Sequence, residues 1–254
     1  MRLFFLEQAA EPGNSVVLNK DQSHRLLHVL RMQIGSQFEA RDAQRSLYTV
    51  QISEIKNKLV ILNILEKKAY VSPWPQIILW QAVPKHPRFA QAVQLAVEAG
   101  VSRIVPIISE YSQVSKESCL DKLQRWNRVA IEAIDQSGNR DFYQIDPIIN
   151  LEQALCEAQP GLGFFCHQDS LQQNPLRQIL HQANRQEPII LAIGPEGGFS
   201  EREVQAFGQA SFRSICFHQT ILRSENAGFF FLAALKMTLQ EIEESYGEIT
   251  RRTH

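Results

Sequence analysis

Long apolar runs are missing from this chain. The longest, Phe229–Leu235, falls far short of the ~20 residues that cross a bilayer, which excludes a membrane-spanning helix. Cysteine is sparse: Cys119, Cys156, Cys166 and Cys216 show no C-x-x-C spacing, which argues against a zinc knuckle and a disulfide scaffold. Neither sign of charge dominates, since 26 Lys/Arg face 27 Asp/Glu and leave a net charge of −1. Internal repeats and low-complexity tracts are lacking. The segment from Met1 to Glu7 meets an acid too early for the apolar stretch of a signal peptide. What is present, 44% hydrophobic and 21% charged residues, is ordinary globular composition and excludes a disordered or fibrous chain. A length of 254 residues suits one large or two modest domains. The expectation is a soluble, reduced, cytosolic protein.

The overall charge argues against nucleic acid, but it is not evenly spread. Residues 1–72 carry ten Lys/Arg against seven Asp/Glu, a net +3, and residues 73–254 a net −4. Ordinary surface variation accounts for so mild a split. It is also the direction expected if a small N-terminal module touches phosphates. Those 72 residues read as strands at Leu3–Leu6, Ser15–Leu18, Gln37–Ala40, Leu47–Ile55 and Leu59–Leu65. Pro12-Gly13-Asn14, Gly35 and Lys56-Asn57-Lys58 supply the turns. One helix, Gln22–Arg31, sets Leu26, Leu27 and Leu30 on a stripe. Short strands at this spacing predict a small β-barrel. Val71-Ser72-Pro73-Trp74-Pro75 then reads as a stiff linker.

From Gln76 the rhythm changes to strand–helix–strand. Ile77–Val83 reads as an apolar run, as a strand buried on both faces should be. Pro87 opens a helix with Phe89, Ala92, Val93, Ala96 and Val97 on one face, closed by Gly100. Further strands are expected at Arg103–Ile108, Gly163–His167, Ile189–Ile193 and Ser214–Phe217. Helices are expected at Leu120–Ile134, after an Asn150/Gln153 capping box, near Gln173–Asn184, at Glu201–Phe207 and at Glu225–Glu244. Alternation of this kind means a mostly parallel α/β sheet.

Chemistry concentrates at two strand-to-helix junctions. The first runs Ile193-Gly194-Pro195-Glu196-Gly197-Gly198-Phe199-Ser200-Glu201-Arg202-Glu203, with Ser200 as N-cap and Glu203 completing a capping box. Ligands bind outside the carboxyl ends of such strands. The loop is neither G-x-G-x-x-G nor a P-loop, and Glu196 would repel a pyrophosphate. A carboxylate among open backbone groups suits a ligand with cationic groups, such as the amine and sulfonium of S-adenosylmethionine. A tight helix entry with a solvated Glu explains the same residues. The second junction is Ile221-Leu222-Arg223-Ser224-Glu225-Asn226. Ser224 can cap the helix, and Glu225 suits its positive end. Arg223 stands against the helix dipole and calls for an anion, either substrate or a paired carboxylate such as Glu196 or Glu225.

Together these residues resemble the RsmE family of 16S ribosomal RNA uridine-N3 methyltransferases, within the SPOUT superfamily. The resemblance rests on Gly194-Pro195-Glu196-Gly197-Gly198-Phe199-Ser200 and on Ile221-Leu222-Arg223-Ser224-Glu225-Asn226. His24 through Val29-Leu30-Arg31, Pro84-Lys85, and Gln136-Ser137-Gly138 with Arg140 add weaker matches. The chain departs from the family at His218-Gln219-Thr220, where a Gly-x-Arg triplet is usual, and at Asn139, which separates Gly138 from Arg140. The resemblance implies a PUA-like RNA-binding β-barrel over 1–72 and a SPOUT α/β domain with a C-terminal trefoil knot over 73–254. It implies a cytoplasmic homodimer that acts on 16S ribosomal RNA within the small ribosomal subunit and needs no metal. S-adenosylmethionine would lie near His167, Ile193, Gly194, Gly198, Phe217, His218, Ile221 and Leu222.

A uracil N3–H is a poor nucleophile while protonated, so such a site must stabilise the deprotonated imide and align it with the methyl donor. Arg223 is the candidate for charge stabilisation and Glu225 for base or orienter. Arg2, Arg25, Arg31 and Lys85 are candidates for phosphate contacts. Two other readings stay open on the sequence: a non-catalytic RNA-binding protein with an α/β dimerisation platform, and a nucleotide-dependent oxidoreductase, which the missing dinucleotide fingerprint disfavours.

Overall fold

The computed structural model describes residues 3–42, 44, 46–70, 72, 75–85, 88–168, 176–184, 186–216, 220 and 222–252. The chain divides into two compact units, Met1–Ser72 with Ile131–Arg140, and Pro73–Ala130 with Asp141–His254.

In the first unit, β1 (Phe4–Phe5), β2 (Ser15–Val17), β3 (Gln37–Arg41), β4 (Leu47–Lys56) and β5 (Leu59–Lys68) form one mixed sheet in the order β1-β3-β4-β5-β2. Only the β1–β3 pair is parallel. Hydrogen bonding among the described residues leaves β1 and β2 at the two ends of this sheet. Asn57 (φ 50°) and Lys58 (φ 66°) make the two-residue turn of the β4–β5 hairpin, both left-handed as the twist of the strands demands. Alternate residues Val60, Leu62 and Ile64 point into a core with Val50, Ile52, Phe4, Leu6 and Leu26. The expected Gln22–Arg31 helix is α-helical only over α1 (Lys20–His24), where the Asn19 side chain accepts from the Gln22 N–H at 2.8 Å. It then widens into a π turn over Arg25–Val29, closed by the Leu30 N–H donating to the Arg25 carbonyl at 2.9 Å.

The second unit is a parallel α/β sheet. Its strands are β6 (Ile77–Ala82), β7 (Arg103–Ile108), β8 (Gln144–Ile145), β9 (Ile149–Asn150), β10 (Leu162–Cys166), β11 (Ile189–Ile193) and β12 (Arg213–Ile215). The order is β12-β10-β11-β6-β7-β8, with β9 also on β7. The helices are α2 (Arg88–Glu98), α3 (Leu123–Ser137, whose last residues from Ile131 belong to the first unit), α4 (Leu151–Cys156), α5 (Leu176–His181), α6 (Glu201–Gln209) and α7 (Ser224–Arg252). All of β6 and β11 is buried, because helices cover both faces. Ile78, Trp80 and Ala82 pack with Leu151 and Ala154 of α4 and Phe207 of α6. On the other face Phe89, Ala92, Val93, Ala96 and Val97 bury the apolar side of α2, which packs with α7.

Two expectations need correction. Asn150 has the extended backbone of an N-cap but its side chain forms no capping hydrogen bond, and the Gln153 side chain donates to Glu157 one turn on, at 2.8 Å. The helix over 120–134 starts later and runs to Ser137 after a 3-10 segment, Glu117–Lys122. The two-residue strands β8 and β9 are too short to carry a periodicity. Of the expected Gln173–Asn184 helix, 173–175 lie outside the described residues.

Candidate active site

Strand β11 delivers the chain to Gly194, which packs against the loop's own backbone. A Cβ there would meet the Gly198 backbone at 3.2 and 3.3 Å. The Gly198 N–H donates to the Pro195 carbonyl at 2.9 Å and closes the loop, with Gly198 at φ +74°. That conformation strains any residue with a side chain. Ser200 then starts α6 with the expected capping box: its Oγ accepts from the Glu203 N–H at 3.3 Å, and Glu203 Oε2 accepts from the Ser200 N–H at 2.9 Å.

The start of α7 is tied to this loop in a different way. Ser224 does not cap its helix. Its Oγ donates to the Gly194 carbonyl at 2.6 Å and accepts from Gln81 Nε2 at 3.1 Å, so one buried hydroxyl joins β6, the glycine loop and α7. The first carbonyl of the helix is that of Arg223, which accepts from Asn226 and Ala227 at 2.9 Å. The Arg223 side chain is exposed, and no described carboxylate pairs with it. The expected partners are taken by Arg88 at the first turn of α2, whose Nη1 lies 3.5 Å from Glu196 Oε1 and whose Nε lies 3.5 Å from Glu225 Oε1. Glu196 also accepts from the Lys85 backbone N–H at 3.2 Å. Glu225 is 4% exposed and its Oε2 has no hydrogen-bond partner. Gln81 Oε1 is likewise buried and unpartnered, and it lies 3.2 Å from where a Cβ on Gly228 would stand. Gly228 and Glu225 are three apart on α7, hence on one face.

The remaining candidates are spread out. Ile193 is buried at the end of β11 and Leu222 is half-buried. The His167 N–H continues the β10–β12 ladder to the Ile215 carbonyl at 3.0 Å, and its ring meets Phe165 edge-on at 6.2 Å. Phe217, His218, Ile221 and Arg2 lie outside the described residues. In the first unit Arg25 is ion-paired with Asp135, whereas Arg31 is exposed at φ 53°. The Lys85 side chain is exposed. Sequence reasoning missed Arg88 and Gln81. Arg88 carried the same signal as Arg223, a cation at a helix N-terminus against the dipole. Gln81 was legible as the one polar residue in an apolar strand.

This edge of the sheet has open space beside the Gly198 backbone and two buried acceptors without donors, Gln81 Oε1 and Glu225 Oε2. That donor-hungry set fits an amine- or sulfonium-bearing group better than a phosphate. Desolvation pushes the thiol of Cys166, at the end of β10, well above the ordinary range. No group of metal-ligating side chains occurs among the described residues, and no helix of theirs is long and apolar enough to cross a membrane. A cavity of about 1000 Å³ opens at the opposite, amino ends of the strands, beside Leu162, Ile189 and Arg213, and contains none of the candidate residues.

Residues 72–236 match the family model described as the RNA methyltransferase domain. Ribosomal RNA small subunit methyltransferase E of Mesomycoplasma hyopneumoniae is 30% identical over 190 residues, 74% of this chain and 81% of that protein. Its namesake from Synechocystis is 27% identical over 229 residues, 89% of this chain and 74% of that one. The crystal structure of a ribosomal RNA small subunit methyltransferase E from Neisseria gonorrhoeae, bound to S-adenosyl methionine, shares a TM-score of 0.78 and 27% identity, covering 93% of this chain and 97% of that one. With its glycine loop and α7 junction inside the matched span, the chain belongs to the RNA methyltransferase domain family, among the ribosomal RNA small subunit methyltransferases E.

Proposed function

We propose that the protein methylates N3 of a uridine in 16S ribosomal RNA, using S-adenosylmethionine. The observation that carries this reading is Arg223. It stands exposed at the α7 N-terminus with no described ion pair, while the two carboxylates that could neutralise it are held by Arg88. An unneutralised guanidinium beside a ligand cradle suits a reaction that builds negative charge.

The cofactor, when bound, supplies the methyl group as an activated sulfonium. Gly194, Gly198, Ile193, Leu222 and His167 would hold it, with Phe217, His218 and Ile221. Arg223 holds the uracil ring as the N3 anion by pairing with the charge that spreads onto its carbonyl oxygens. Glu225, fixed at Oε1 by Arg88, takes the imide proton at Oε2, the atom that has acceptor capacity to spare.

Residues 1–72 form the RNA-binding module, a PUA-like barrel, and 73–254 the SPOUT methyltransferase domain. The C-terminal part of the latter forms the trefoil knot that the resemblance implies. Arg2, Arg31 and Lys85 contact phosphate, and Arg25 does so only if it leaves Asp135. The protein works in the cytoplasm as a homodimer on the small ribosomal subunit.

Purified protein, S-adenosylmethionine and 16S ribosomal RNA or small subunits from cells lacking the enzyme should yield one new N3-methyluridine by mass spectrometry. No methyluridine on either substrate overturns the reading. Gly198→Val should abolish cofactor binding by calorimetry in a folded protein, and unchanged affinity would remove the glycine loop from the site.

A further inference from the structure

The outer face of α1 and the π turn that follows it concentrates features that the fold does not use. Its inner face is accounted for, with Ser23 and Leu26 buried and Leu27 and Leu30 packed on the core. Outward, His24 and His28 are both exposed, and their rings lie against each other with centroids 4.8 Å apart at 37°. Lys20, also exposed, stands one turn before His24. Val29 is 65% exposed and Ile34 is 60% exposed. A π turn is rare and recurs at functional sites. Arg31, directly after it, is held at φ 53°, a left-handed conformation that a non-glycine residue adopts at a cost. Within the same short segment Arg25 is turned inward to Asp135, whereas Arg31 is exposed.

We propose that His24, His28 and Arg31 form a contact site for single-stranded RNA, in which the imidazole rings stack on unpaired bases and Arg31 answers a phosphate. Exposed π faces beside a guanidinium are the chemistry that binds bases already out of a helix. A duplex, whose bases are stacked on one another, leaves those rings without a partner. The net +3 of residues 1–72 favours a polyanion over a protein surface. The inference rests on the RNA-directed function above and deepens it by naming a surface and the form of RNA it takes.

Fluorescence anisotropy of the full chain with a short single-stranded oligouridylate, and with a duplex RNA as control, tests the site. Replacing both His24 and His28 by Ala should weaken single-strand binding by roughly 10-fold or more, within the range of lost base–aromatic stacking, and change duplex binding little. Replacing both by Phe should restore most of it. Arg31→Gly gives the sharper test, because it relieves the left-handed backbone. It should raise the melting temperature, weaken single-strand affinity, and flatten the plot of log affinity against log salt by about 0.7 for one lost phosphate contact. Calorimetry with S-adenosylmethionine should be unchanged in every variant, since these residues lie in the other unit. Wild-type single-strand affinity in the double Ala variant, or unaltered affinity and salt slope in Arg31→Gly, overturns the proposal. If the wild-type chain still methylates 16S ribosomal RNA in that case, only this site falls. A wild-type chain that neither binds nor methylates RNA overturns both.

Discussion

Helix α6 enters from Ser200, whose hydroxyl accepts a backbone N–H while Glu203 reaches back to close the box. Helix α7 enters from Arg223, whose side chain has no acceptor to offer, and the hydroxyl one residue later is bonded to Gly194 instead. Both helices begin beside the carboxyl ends of the parallel strands, and the same local rules apply to both. A cap contributes about 0.5–2 kcal/mol, and a cation at a helix N-terminus costs about 0.3–1 kcal/mol. The α6 start has its cap, and the one cation in its first turn, Arg202, stands between Glu201 and Glu203 and is paired with Glu152. At α7 both are given up, and what is obtained is an unneutralised guanidinium and a hydroxyl that locks the glycine loop. Where local rules fail together at one junction, the junction serves something other than the fold.

The largest expected effect breaks the comparison at Arg223. Arg223→Ala should lower single-turnover methylation by on the order of 10²–10³, as loss of a preorganised charge stabiliser does, with cofactor affinity and melting temperature nearly unchanged. Arg223→Lys should recover only part of the rate, because a point charge does not reproduce the guanidinium fork. An unchanged rate would make the α7 start a mere defect.

Two buried carboxylates sharpen the contrast next. Each is paired through one oxygen and leaves the other without a hydrogen bond, but Glu225 stands beside the site with Arg88, whereas Asp135 holds Arg25 within the first unit. Burial lifts Asp135 to about 6 from its ordinary 3.8, and Arg25 opposes that rise without cancelling it. A folded-state pKa above the unfolded one means that the stability contribution is complete below pH ~4 and lost as pH rises through 6. The swing is about 3 kcal/mol at most. Urea unfolding of wild type and Asp135→Asn across pH 4–7 should show the difference between them change over that window, and a constant difference would refute it. Ser224→Ala follows in size. It takes the hydroxyl donor from the Gly194 carbonyl and one of two acceptors from the Gln81 amide, which keeps the Ala82 carbonyl, and should cost about 1–3 kcal/mol by denaturant unfolding. Cofactor affinity should fall with it, because the loop loses its tether.

The α/β part was readable because its longer strands are mostly apolar and its helices carry one-sided stripes. Arg103–Ile108 and Ile189–Ile193 have the ends that patterning gives them. The capping box at Ser200 was equally local. What escaped notice depends on residues distant in sequence. Nothing near Ser224 says that its hydroxyl bonds Gly194, thirty positions earlier. Nothing near Glu196 and Glu225 says that Arg88 holds both. The widening of the helix at Arg25 was hidden for another reason, since Leu26, Leu27 and Leu30 fit an α-helical stripe well enough to mask one extra residue per turn.

The smallest expected effects run in opposite directions at the two helix starts. Ser200→Ala removes a formed cap and should lower stability by about 1 kcal/mol. Arg223→Ser installs a capping side chain where none exists and removes an adverse cation, so it should raise stability by up to about 1 kcal/mol. The gain is at the small end because the exposed guanidinium is already screened by solvent. Methylation supplies the second axis. Ser200→Ala should leave the chemical step close to wild type, since Ser200 touches the helix it caps and not the reacting groups. Arg223→Ser should lose as much rate as Arg223→Ala while being the more stable protein. If Arg223 were there for the fold, its replacement by a capping residue would still strip a favourable contact and the melting temperature would fall. Thermal melting and single-turnover methylation on the same two proteins therefore place each residue in one of two quadrants. A variant at Arg223 that is both less stable and fully active would reverse the assignment of the two helix starts.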